Sequence, residues 1–493
     1  MKKFLTTLAA IVLLPSTTLA ADNISLTLEQ AIGLALKNNR QIEQSAEERE
    51  AARWNLSAVR RNAGPVLNWN SVFNHIGGKY YYGSRLNHDR ARFAKKMGDD
   101  VNMRLYPSYD NENSNTIALR MSLYTGGRLE NQREAARYGL NVADLTLENS
   151  RQTVKYRAAD AYYQVLQRAQ LVDVQKQALN LLQEHLRTVE IQYEVGTVAK
   201  SDLLSTSVQL ANTQQSLNTA EGNYLMAVAQ LNNVIGLPVD TEIATATKLE
   251  FVKYTKTEAE CLEYALNHRP DGIAANYAVK RAEAEKNVAK ADYRPTITAI
   301  ARGDVSGEGF LQDNHAAERW AVGVTVDWNI FDNGVTSARV HQAQANVRRA
   351  ESAARQQLET IQLEVRSAYI ALKTAEKNIE TTASAVAKAE EEFEIAKIRY
   401  IEGVDTNLNV MNAQEKVVET RNNYYNALYT YYTSRAQLEK AMGVPVTIDA
   451  LLYDAAVQSG KSSNKSLAAA KVADVDYFDD SAWELPAPFN TAR

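Results

Sequence analysis

Six histidines, His75, His88, His185, His268, His315 and His341, are the side chains best suited to move protons or hold a metal near neutral pH. None falls in an HExxH arrangement or another paired ligand spacing. One cysteine, Cys261, excludes an internal disulfide framework and a cysteine-based zinc site. Gly460-Lys461-Ser462 lacks the upstream glycine of a phosphate-binding loop, and Gly307 and Gly309 lack the strand-to-helix setting of a dinucleotide fold. The abundant carboxylates lie in amphipathic stretches, where solvation and i, i+4 pairing account for them. The expectation is a protein without catalytic residues, metal or cofactor, whose work is driven by other proteins.

The distinctive residues sit at two turns instead. One reads YEVGTVAKSD from Tyr193 to Asp202, the other YIEGVDTNLN from Tyr400 to Asn409. Gly196 and Gly403 suit helix C-caps that need a positive φ. Ser201 and Thr406 suit the N-caps of the helices that follow. Capping alone accounts for these four.

The elements that carry the turns come in two copies. TLEQAIGLALKNNR at Thr27 aligns with TEAECLEYALNHRP at Thr257, and Thr27/Thr257, Ala35/Ala265 and Pro65/Pro295 keep an offset of 230. Gly127/Gly334, Tyr162/Tyr369, Tyr193/Tyr400, Gly196/Gly403, Gly236/Gly443 and Pro238/Pro445 keep an offset of 207. The difference places 23 extra residues between Pro65 and Gly127. Each copy opens on a capping box, Thr27 with Gln30 and Thr257 with Glu260. A helix is expected from there to just before Pro65 or Pro295.

Period-two alternation follows in both copies, marking strands at about 66–74 and 115–124, then at about 296–304 and 321–331. Their length, near ten residues, is that of a tilted membrane-crossing strand. After Gly127 and Gly334 the period becomes helical, predicting long helices at 128–195 and 335–402 of about 100 Å each. Shorter helices return from each turn and stop at the Gly236/Pro238 and Gly443/Pro445 pairs. Together with the opening helix they nearly equal the long helix, so two short helices stacked end to end fit alongside one long one.

With 55 basic and 59 acidic residues, the chain lacks the basic excess of a nucleic-acid binder. Only 21 glycines and 9 prolines interrupt 493 residues, which agrees with long helices. Lys2-Lys3, an apolar Phe4–Leu14 core and Thr18-Leu19-Ala20 read as a cleavable export signal over residues 1–20. The expected plan is then a first repeat at 21–240, a second at 241–446 and a periplasmic tail at 447–493. An exported chain with no long apolar helix crosses a membrane only as a closed barrel, and four strands are too few to close one.

Signal, duplication, element order and the YEVGT and YIEGV turns together resemble TolC-family outer-membrane factors, over roughly Leu26 to Val446. The resemblance implies a mainly α fold with a β-barrel portion. Three chains would pool four strands each into a twelve-stranded outer-membrane barrel on a long periplasmic α-helical barrel. The cell location would be the outer membrane of a Gram-negative bacterium. Its partners would be a periplasmic adaptor, an inner-membrane pump of RND, MFS or ABC type and outer-membrane lipids. The function implied is an exit duct for drugs, bile salts or detergents. The alternatives are a duct dedicated to type I protein secretion, or an exported coiled-coil structural protein.

The resemblance also assigns the turns. Val195, Gly196, Thr197, Gly403 and Val404 become adaptor-contacting tips, and Asp202, Tyr400, Asp405, Asn409 and Asn412 the periplasmic gate. Asp202 and Tyr400 keep the family's acidic and aromatic positions. Asp405 stands where the best-studied member has an arginine, which removes that interchain ion pair. Asn409 and Asn412 replace two aspartates, implying weaker cation selectivity. The extra 23 residues fall in the first extracellular loop, whose Tyr80, Tyr81, Tyr82, Arg85, Arg90, Arg92, Lys95 and Lys96 read as a solvated, variable loop.

Overall fold

The computed structural model describes residues 24–75, 92, 96, 111–245, 251–307 and 317–446. The expected signal, the 447–493 tail and six of the eight first-loop residues named above, all but Arg92 and Lys96, lie outside the described residues.

A short strand β1 (Ile24–Leu26) leads into α1 (Leu28–Asn38) and α2 (Arg40–Arg61). Strands β2 (Val66–His75) and β3 (Asn111–Tyr124) follow, then α3 (Arg128–Glu194) and the returning α4 (Lys200–Ile235). After β4 (Ile243–Thr245) the order repeats as α5 (Glu258–His268), α6 (Pro270–Lys290), β5 (Thr296–Gly307), β6 (Ala317–Asp327), α7 (Val335–Ile401) and α8 (Asn407–Met442). Both long helices have 67 residues and both returning helices 36.

The continuous opening helix expected in each half is broken in two. Asn39 (ψ 126°) ends α1 and starts α2, its side chain accepting from the Gln41 amide at 2.9 Å. Arg269 does the same between α5 and α6, because Pro270 has no N–H and forces the preceding residue into an extended conformation. Asn39 and Arg269 are equivalent positions in the two copies, so the break belongs to the repeat.

Those breaks receive the returning helices. Asn38 Nδ2 and Asn39 Nδ2 donate to the Ile235 and Val234 carbonyls at 3.3 and 3.1 Å. Arg269 Nη1 donates to the Ala441 carbonyl at 3.3 Å and is itself paired with Asp271 and Glu364. The last carbonyls of α4 and α8, orphaned by geometry, thus find donors on the element stacked beyond them. Gly236 and Gly443 (φ 74° and 72°) make the approach possible. A Cβ on Gly443 would lie 2.8 Å from Arg269 Cα, and one on Gly236 would lie 2.6 Å from Asn38 Cβ.

Two cores mirror each other across this stack. Ala31, Ala35, Val154, Ala158, Val165 and Leu231 pack in the first. Their equivalents in the second are Cys261, Ala265, Ile361, Val365, Leu372 and Leu438. Cys261 is therefore a small core side chain in the place of Ala31, fully buried. Tyr162 and Tyr431 are buried too and tie the connecting segments down, donating to the Leu26 carbonyl at 2.9 Å and the Val252 carbonyl at 2.5 Å.

Strands β2, β3, β5 and β6 form one antiparallel sheet in the order β2-β3-β5-β6. Register puts Leu67, Leu119, Ala301 and Val322 in one row and Trp69, Ile117, Gly303 and Trp320 in the next, all on a single face. The opposite face carries Asn70, Thr116, Asp304 and Arg319 in one row. There Thr116 donates to Asp304 at 2.9 Å, and Arg302 and Arg319 stand 3.5 and 3.6 Å from the same carboxylate. The strands are longer than their alternation suggests at β3, β5 and the start of β6. The expected extension of β6 to 331 fails: its pairing with β5 ends at Asp327, and the Trp328 indole donates instead to the Tyr293 carbonyl at 3.1 Å.

Gly443→Ala combines a left-handed strain of ~1 kcal/mol with an overpacking cost of ~2 kcal/mol at the helix stack. Gly196→Ala, with the same φ sign and nothing within 4 Å, carries the strain alone. Chemical unfolding followed by circular dichroism should show the Gly443 variant losing about three times as much stability. Equal losses would mean that the stack does not constrain the helix end.

Candidate functional site

The two tips are built by identical hydrogen-bond geometry. At the end of α3, the Gly196 amide bonds to the Tyr193 carbonyl and the Thr197 amide to the Gln192 carbonyl, at 3.0 and 2.9 Å. At the end of α7, Gly403 and Val404 bond to Tyr400 and Arg399 at 3.0 and 2.9 Å. This is a helix stop that requires a left-handed residue, supplied by Gly196 (φ 77°) and Gly403 (φ 74°).

The restarts differ. Thr406 caps α8, its hydroxyl accepting from the Asn409 amide at 3.4 Å. Ser201 does not cap α4: the helix begins one residue earlier, and the N-cap is Ala199, which has no side-chain acceptor. Ala199 occupies the position of Thr406 in the repeat, so the first tip has no side-chain cap, and its Asp202 amide bonds to the Ala199 carbonyl at 3.0 Å instead.

A polar network threads the four helices of the tips. Tyr400 is buried, its hydroxyl donating to Gln192 Oε1 at 2.7 Å and its ring lying edge-on to His185 at 5.2 Å. His185 Nε2 meets Asn407 Oδ1 at 2.6 Å. Asn407, also buried, donates to Thr206 Oγ1 at 2.9 Å and to the Asp202 carbonyl at 3.3 Å. Around it Val189, Phe393, Ala396, Val410 and Ala413 form a third apolar cluster that joins the two halves. Burial, with Lys397 adding repulsion, holds the His185 imidazole below its ordinary value, while its bond to Asn407 opposes the shift. Burial and the Asp202 charge push the Tyr400 hydroxyl up.

Of the residues singled out in the sequence, Asp202 and Tyr400 come together through this network. Asp405 and Asn409 form a second group: Asp405 Oδ1 accepts from Asn409 Nδ2 and from the Thr406 amide, and its other oxygen faces Arg399 at 3.4 Å. The Asn409 and Thr406 donors hold the Asp405 carboxyl below its usual range. Asn412 stands exposed one turn further along α8. Val195, Gly196, Thr197, Gly403 and Val404 are all exposed at the outermost turns.

His185, Gln192, Thr206 and Asn407 were not singled out by sequence reasoning. A signal existed: His185 and Gln192 each lie three residues beyond buried Leu182 and Val189, so polar side chains occupy the inward positions of a heptad.

No helix among the described residues is long and apolar enough to cross a membrane, and no group of three or more His, Cys, Asp or Glu side chains there is placed to hold a metal ion. What the described residues offer at one end is a two-faced sheet whose outer strands β2 and β6 each pair on one side. At the other end is a glycine-stopped helical tip, one long helix away. Fold and site together define an outer-membrane channel protein. The chain belongs to the outer membrane efflux protein family, which it matches over residues 31–237 and 261–444, one segment per repeat. It is a TolC-family outer-membrane factor, and its place is the outer membrane.

Outer membrane protein TolC of Escherichia coli (strain K12) is 23% identical, over 99% of this chain and 96% of that protein. The alkaline protease secretion protein AprF of Pseudomonas aeruginosa is 23% identical, over 96% and 94%. The Campylobacter jejuni CmeC outer membrane channel shares the fold with a TM-score of 0.71 at 18% identity, covering 84% of this chain and 85% of that one.

Because His185 titrates lower when folded than its ordinary 6.5, the unfolded tip takes up protons first as pH falls. The tip is therefore most stable above about pH 6.5 and loosens below it. Hydrogen-exchange protection of the amides around Gly196 and Gly403, corrected for intrinsic rates, should fall between pH 7 and pH 5. It should stay level in His185→Gln. Tyr400→Phe, which removes one hydrogen bond of ~1 kcal/mol, should lower the same protection about fivefold at pH 7.

Proposed function

We propose that three copies of this chain close a twelve-stranded barrel and a continuous helical tube, forming an exit duct from the periplasm to the outside. The observation that carries this reading is the sheet. Among the described residues its edges, β2 and β6, are unpaired and its apolar face has no cover, with Trp320 80% exposed. Unpaired strand edges are not tolerated in hydrocarbon, whereas pooled sheets satisfy both edges and give the apolar face to lipid. The polar face, with Asp304, Arg302 and Arg319, then lines a wet lumen.

In this assembly the tips form the entrance. Asp202, Tyr400, Asp405, Asn409 and Asn412 act as its gate, and Val195, Gly196, Thr197, Gly403 and Val404 meet a periplasmic adaptor linked to an inner-membrane pump of RND, MFS or ABC type. The Asp405 charge is answered by Arg399 of its own chain, and Asn409 and Asn412 add none. Such an entrance is less cation-selective than one with aspartates at positions 409 and 412. Small molecules such as drugs, bile salts or detergents are the cargo this supports best. Protein export is a second reading, favoured by the full-length likeness to AprF, a protein named for protease secretion.

The protein should be recovered from outer membranes as a trimer and give discrete conductance steps in planar bilayers. A soluble monomer without conductance would overturn the duct. Asn409→Asp with Asn412→Asp should shift the reversal potential in a salt gradient toward cation preference. An unchanged potential would remove these residues from the gate.

A further inference from the structure

A cleft of about 310 Å³ opens between α1, α3 and α8, beside the place where the described chain leaves α8. Its apolar floor includes Tyr156, Tyr163 and Tyr432, and its rim carries Lys155, Arg435 and Lys440. One carboxylate, Glu439, answers two of these cations at 3.9 and 3.5 Å. Lys440 lies over the Tyr156 ring at 5.5 Å and has no carboxylate partner among the described residues. The cleft is thus aromatic and carries a net positive charge, a combination suited to an extended segment with acidic and aromatic side chains.

This chain contains such a segment. Residues 474–484 read DVDYFDDSAWE, with Asp474, Asp476, Asp479, Asp480 and Glu484, three aromatics and no cation. It follows the cleft in the chain. Val444 lines the cleft, and Val446 is fixed by its amide on Glu148 Oε1 at 3.2 Å. The 27 residues between Val446 and Asp474 are ample, since an uncoiled linker of that length spans ~30 Å root-mean-square. Tethering at that range gives an effective concentration near millimolar, so even a weak intrinsic affinity fills the site.

We infer that the cleft between α1, α3 and α8 is the docking site for residues 474–484 of the same chain, held by Lys155, Arg435 and Lys440 against their carboxylates and by Tyr156, Tyr163 and Tyr432 against their aromatic rings. The segment binds whether or not the duct conducts.

The test uses the full chain in detergent, with Tyr156 replaced by the photo-crosslinker benzoylphenylalanine. Illumination should join position 156 to a peptide within 474–484 at monomer mass, as read by peptide mass spectrometry. Arg435→Glu with Lys440→Glu should reduce the yield at least fivefold, and Asp479→Lys with Asp480→Lys should restore it. High salt should weaken the unsubstituted link as charge pairing requires. A cross-link at dimer mass, a link to any other element, no link, or a yield indifferent to charge reversal would each overturn the inference.

Discussion

The fold depends on how a long helix is matched by two shorter ones. A returning helix that stops in mid-wall leaves its last carbonyls unpaired, and a bare helix end inside a packed layer is costly. Here the carbonyls of Val234, Ile235 and Ala441 are received by Asn39, Asn38 and Arg269, at the break of the helix beyond. The break is thus the receptor for the stack. Pro270 enforces it in one half and an asparagine cap in the other, two chemistries for one geometric need.

Duplication supplied the frame. The cores exchange equivalent side chains, Val165 for Leu372 and Ala31 for Cys261, with no change of role. At the turns the copies part. Tyr193 is exposed where Tyr400 is buried, and Ala199 stands where Thr406 caps. The second tip took the hydrogen-bonding residues and the first supplies their partners, Gln192, His185 and Thr206. Neither half makes the network alone. Each buried polar bond is worth only ~1 kcal/mol, so the two halves are joined here by several small contributions rather than one large one.

Much of the fold was legible because punctuation is local physics. Both capping boxes, the glycine stops and the period-two strands each state their structure within a few residues. The break at Asn39 was hidden because an asparagine between helical residues is a helix interior or a cap depending on what it meets. What it meets, the end of α4, lies 195 residues away. The tip network was hidden for the same reason. Nothing near His185 or Asn407 in the sequence pairs them, and two hairpins bring them within 2.6 Å. Ser201 misled because a hydroxyl near a helix start is a good cap only if the helix begins after it, and here it begins at Lys200.

The matched lengths make the wall a ruler with coarse graduations. Adding one residue to α3 would turn everything beyond it by about 100° and carry it about 1.5 Å along the axis. The apolar seam against α4 would then face outward. Only a whole heptad, about 10 Å, restores both rotation and contact. It has to enter α3, α4, α7 and α8 together, or a helix end misses its receptor. A tube built this way cannot be stretched gradually to suit a thicker periplasm. It changes reach in steps, and every step is taken twice within one gene.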